Sequence, residues 1–141
     1  MGLDGGGGGG GGILGVTGSF TGPAEALEIV GEHCYAYSGP VTDAASGAAD
    51  TTVLNFTSGN YYAVVEVSFV TDHGTGNDAY LDILFNNSTV YKGTFDASQV
   101  HTVVEQPFNL LIPAYTEVLV KWGIDGVTNA LSFIMVGRVY R

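Results

Sequence analysis

Three histidines, one cysteine and a handful of carboxylates are the side chains of this chain best suited to chemistry. His33, His73 and His101 lie far apart and lack the close spacing of a metal-binding motif. Cys34 has no second cysteine to pair with. It lies in a strand-like run, where the adjacent His33 points to the opposite face and cannot activate it. The segment Asp72-His73-Gly74-Thr75-Gly76-Asn77-Asp78 concentrates oxygen donors, which calcium favours. It has neither the ligand order nor the terminal glutamate of a calcium-binding helix–loop–helix. It reads as a polar loop, with Asp72, His73, Asn77 and Asp78 as candidate recognition residues. Glu66 and Asp82 could serve glycoside chemistry if one sheet face brought them together, but outward carboxylates on strands are usually solvated. No Gly-x-Ser-x-Gly elbow occurs, and Thr17-Gly18-Ser19-Phe20 does not supply one. The expectation is a protein that is not an enzyme and uses no cofactor and no metal.

The other conspicuous feature is backbone without side chains. Gly5, Gly6, Gly7, Gly8, Gly9, Gly10, Gly11 and Gly12 form an unbroken tract, followed by the apolar Ile13 and Leu14. No strand precedes the tract and no Gly-Lys-Ser/Thr follows it, so it is not a phosphate loop. Gly6 stands where N-myristoylation wants Ser or Thr. Met1-Gly2-Leu3-Asp4 lacks the basic start of a secretory signal, so none is expected. Without secretion, the sequons at Asn55, Asn86 and Asn87 carry no weight. Glycine alone lets backbones approach closely, so residues 5–14 read as an assembly arm seated against partner chains. Extended like polyproline II at about 3.1 Å per residue, the octaglycine reaches roughly 25 Å.

Composition narrows the partners. The 141 residues include 14 Asp and Glu against 4 Lys and Arg, a net charge of −10. Lys92, Lys121, Arg138 and Arg141 cannot track a phosphate backbone, which excludes nucleic acid as an expected partner. An anionic membrane surface is disfavoured for the same reason. No run of about 18 apolar residues is present to span a membrane as a helix. Only 13 % of residues are charged and 45 % are hydrophobic, which predicts a large core and apolar surface shared between subunits.

The elements that must position these residues are strands. Tyr61 to Val70 alternates, with Tyr61, Ala63, Val65, Val67 and Phe69 on one face. Tyr80 to Phe85 alternates likewise, and Asn86-Asn87 signals a tight turn into Thr89 to Phe95. Tyr35 to Val41, Thr51 to Phe56, Gln99 to Glu105, Phe108 to Ile112, Glu117 to Trp122 and Asn129 to Tyr140 complete the set. Asp125-Gly126 reads as a second hairpin signal, and Ala24 to Val30 as one short helix or an extended link. About eight strands without interspersed helices predict an all-β, antiparallel sandwich or jelly roll. Residues 32–141 form that domain, and residues 1–31 form a Gly-rich N-terminal arm and connector. Tyrosines in these strands suit a core or a subunit interface better than a sugar platform.

Leu110-Leu111-Ile112-Pro113-Ala114-Tyr115-Thr116-Glu117-Val118 and the closing Gly137-Arg138-Val139-Tyr140 resemble segments of small jelly-roll accessory proteins of tailed bacteriophage virions. The Met-Gly-Leu start before a glycine tract is similar too. Ala114 stands where a second proline often occurs in that family. The resemblance implies capsid decoration, head-fibre or adhesin roles, usually as trimers. The expected function is therefore a virion structural protein, a decoration or cement protein. It binds the major capsid protein or other virion proteins through its arm and forms a homotrimer. The alternative is a carbohydrate-binding adhesin module of a tail or fibre, with recognition carried by loops 42–50, 72–78 and 123–129.

Overall fold

The computed structural model describes residues 27–43, 47–72, 78–95, 102–104, 107–125 and 130–141. Ten strands are formed there: β1 (Glu28–Val30), β2 (His33–Thr42), β3 (Thr51–Thr57), β4 (Tyr62–Asp72), β5 (Ala79–Phe85), β6 (Ser88–Phe95), β7 (Thr102–Val104), β8 (Phe108–Ile112), β9 (Glu117–Ile124) and β10 (Ala130–Tyr140). They build two antiparallel sheets. One runs β1-β2-β10-β4, with β8 and β7 end to end along the free edge of β4, so it is five strands wide. The other runs β3-β9-β5-β6. The fold is all-β and sandwich-like.

The pairing is nested. β5 pairs with β6, β4 with β8, β3 with β9 and β2 with β10. The first half of the chain thus meets the second half in reverse order. The innermost link is the two-residue turn Asn86-Asn87, with φ of 49° and 67°. Both central residues being left-handed is the twist that matches the flanking strands.

Strand alternation supplies the core. Ala63, Val65, Val67 and Phe69 of β4 and Leu131, Phe133 and Met135 of β10 are buried from one sheet. Leu81 and Ile83 of β5 and Val118, Val120 and Trp122 of β9 are buried from the other. Aromatic contacts join the layers. Phe69 of β4 meets Phe95 of β6 edge-on at 5.5 Å, and Tyr91 of β6 stacks on Phe108 of β8 at 4.5 Å. Trp122 Nε1 donates to the Val41 carbonyl at 3.2 Å, so the one indole N–H in the core is satisfied.

Two expectations are corrected. Asp125-Gly126 does not close a hairpin, because β9 and β10 belong to different sheets. Residues 28–30 form no helix: they are extended and pair with β2 as an edge strand. The Gly39-Pro40 interruption of β2 is a bulge. Ser38 and Gly39 together face Phe133, Gly39 takes φ 65°, and the Ser38 hydroxyl accepts the Phe133 amide at 3.0 Å. Proline is tolerated at position 40 because β1 covers only His33 to Tyr35, leaving β2 an edge there.

Candidate functional site

The chemistry-bearing residues do not converge. Glu66 and Asp82 lie on opposite sheets and point outward on opposite sides of the sandwich, so they form no dyad. Asp82 instead holds Lys92 at 3.2 Å. His33 is exposed on β2, and Cys34 beside it is buried facing inward. Burial raises the Cys34 thiol above its ordinary 9.0, against the lowering effect of a backbone hydrogen bond from Gly137. Gly5–Leu14, His73, Asn77 and His101 lie outside the described residues. Asp72 ends β4, and Asp78 is half-buried just before β5. Among the described residues no three His, Cys, Asp or Glu side chains are grouped to hold a metal.

Asp78 belongs to one end of the sandwich, where several strand ends meet. The Asp125 amide donates to the Asp78 carbonyl at 2.9 Å, and the buried Asp43 carboxylate accepts the Ile124 amide at 2.8 Å. Partial burial and the charges of Asp78 and Asp125 raise the Tyr80 hydroxyl above its ordinary 10.0. The first of these hydrogen bonds joins β9 to β5 within one sheet, and the second ties β9 to the end of β2 in the other. They leave no described cleft lined by convergent donors.

The unusual surface is a sheet face. The outer side of the five-strand-wide sheet carries apolar and aromatic residues along its length, interspersed with polar ones such as His33, Glu66, Ser68 and Arg138. Tyr62 of β4 sits beside Tyr140 of β10, exposed at 52 % and 53 %. In the next row Val64 lies between Arg138 and Leu111. Tyr35, Val136, Glu66 and Asn109 make the third row. Tyr37 and Ile134 follow, then Pro40, Ser132 and Val70. Nine of the eleven exposed large hydrophobic residues among the described ones lie on this face; Val90 and Tyr115 are the others. Such residues scattered singly need no explanation, but gathered on one face they mark an interaction surface.

The opposite outer face shows what a solvated sheet looks like in the same molecule. Lys121, Asp82 and Lys92 form a cross-strand charge row, with Thr52 beside Lys121 and Thr94 beside Tyr80. Its leucines, Leu84 and Leu119, are half-buried. The asymmetry therefore separates the two faces of one fold, and solubility alone does not demand it.

Sequence reasoning assigned the strand tyrosines to core or interface without resolving which. Tyr61 went to the core, while Tyr35, Tyr37, Tyr62 and Tyr140 went outward together. The signal was present: β2, β4 and β10 carry apolar residues at outward as well as inward positions. Among the described residues no helix is long and apolar enough to cross a membrane. No protein-family model matches the chain, and no curated protein matches it.

Proposed function

We propose that this protein is a structural component of a tailed-bacteriophage virion, a capsid decoration or cement protein that works by burying surface. The body is a jelly roll, homotrimeric, and residues 5–14 are the arm that engages the major capsid protein. The observation that carries this reading is the apolar, tyrosine-rich outer face of the wide sheet. A face of that kind is covered in the working state, and covering it requires an assembly. Support for the jelly roll comes from the nested pairing, which folds one long ribbon over itself into two sheets. The four cations in the sequence are too few for a nucleic-acid role.

The test is quantitative mass spectrometry of purified particles, with and without deletion of residues 2–12. The intact chain is expected at hundreds of copies per particle, and the deletion is expected to abolish incorporation while leaving the body folded. A copy number of about a dozen or fewer shifts the reading to a vertex or tail position, where small cyclic oligomers sit. Absence from particles, or undiminished incorporation of the deleted chain, overturns the decoration role or the arm's part in it respectively.

A further inference from the structure

We propose that the apolar face of the β1-β2-β10-β4-β8 sheet packs against other copies of this same chain. The inference rests on the assembly reading above and names the occupant of its surface. Three observations favour a second copy over an unrelated partner.

The first is charge. The protein carries −10, so two copies repel wherever their general surfaces meet. The outward strand positions of this face hold three carboxylates, Glu28, Glu66 and Asp72, and one guanidinium, Arg138, with His33 opposite it on β2. Arg138 also engages Glu32 at 3.3 Å. The face thus carries charges of both signs on a strongly acidic body, so two copies can approach there with Arg138 of one against a carboxylate of the other. A basic partner would be served better by the acidic surface elsewhere.

The second is area. Strands about 4.8 Å apart, with about 3.4 Å per residue along them, give about 16 Å² per residue position, and roughly eight positions on each of β2, β10 and β4 with the shorter β1 and β8 beside them make about 32 positions. That is a flat footprint of about 500 Å² per copy and about 1,000 Å² for a pair, the lower bound of a specific interface.

The third is the kind of side chain and its support. Tyr35, Tyr62 and Tyr140 offer large apolar area with few rotatable bonds, and Val64 and Val136 fill the space between them. Each is fixed by a strand paired on both sides, or by a strand next to one. Residues of this type on a preformed surface associate with little loss of side-chain freedom. Glu66 and Arg138 sit diagonally adjacent on β4 and β10. One acid and one base on the same face allow copies to exchange ion pairs.

The experiment uses the full chain. Light scattering on a sizing column at tens of micromolar is expected to give the wild type at least twice the 14.6 kDa protomer mass. Val136→Arg is expected to run as a monomer with an unchanged β circular-dichroism spectrum. Thr94→Arg, on the opposite outer face, is expected to stay oligomeric. A monomeric wild type, or an oligomeric Val136→Arg, overturns the proposal. Should Val136→Arg fail to fold, tyrosine nitration of the wild type decides. Tyr35, Tyr62 and Tyr140 are expected to lose at least fivefold in rate on going from high dilution to high concentration, with Tyr115 unchanged as the exposed reference. Equal rates at both concentrations overturn it. Self-association without particle incorporation keeps this inference and removes the virion role; incorporation of a monomeric protein does the reverse.

Discussion

Single residues hold this sandwich at points where a strand ladder ends. Ser58 is buried and bridges two turns. Its hydroxyl donates to the Pro113 carbonyl at 2.7 Å and accepts the Thr116 amide at 2.8 Å, while its own amide donates to the Thr116 carbonyl. Ser58→Ala strands a buried amide and a carbonyl, which costs about 1–3 kcal/mol, measured as a lowered midpoint in urea. Tyr115 sits in the same turn at φ 56° and is 72 % exposed. Cys34 gives a pH prediction. Burial holds the native thiol above its ordinary 9.0, whereas the unfolded chain ionises near that value. The stability from the neutral buried thiol is complete below pH 9 and falls as pH rises through the folded value. Thiol labelling of native protein at pH 8 is accordingly expected to be slow and limited by opening. Gly137 shows a third device: a Cβ there would overlap the Val64 carbonyl, so glycine is required where β10 lies against β4.

Elements were legible from the sequence to different degrees, for physical reasons. Period-two alternation identified β4, β5, β9 and β10 and sorted their residues inward or outward, because side-chain direction along a strand is a local property. The turn at Asn86-Asn87 was equally legible, since left-handed backbone selects its own residues. Asn87→Val places a β-branched side chain at φ 67° and is expected to cost about 1–2 kcal/mol in thermal or chemical melts. Asp125-Gly126 carried the same kind of signal and misled. A turn-forming pair fixes that the chain bends, not whether the next strand returns to the same sheet. β1 was missed because three residues are too few to show a period; its pairing with β2 defines it. The Ser38–Gly39 bulge was visible only as an interruption. Its hydrogen bond to Phe133 spans 95 residues of sequence.

At the scale of the whole molecule, two outer faces of one sandwich differ in kind, and that difference carries the functional reading. If the apolar face joins copies of a −10 protein, salt acts mainly on the repulsion between their acidic surfaces. Self-association is then expected to strengthen between 20 and 500 mM salt on sedimentation, as flagged by a rising mass at fixed concentration. A complex held by complementary charges shows the opposite trend.

The sequence by itself determined the strand character of the chain, the inward residues of its longest strands, its central turn and the lack of a recognisable catalytic or metal-binding motif. Each of these depends on neighbours in the chain or on residue type alone. Only the tertiary structure decided that Glu66 and Asp82 stand on opposite sides, and that Tyr35, Val64, Leu111 and Val136 share one surface. Alternation states which way a residue faces relative to its own strand. Which strands lie side by side is chosen by how the two inner faces fill space and by the nested closure of the ribbon. Those conditions join residues a hundred positions apart, so the apolar face exists only once the strands have paired.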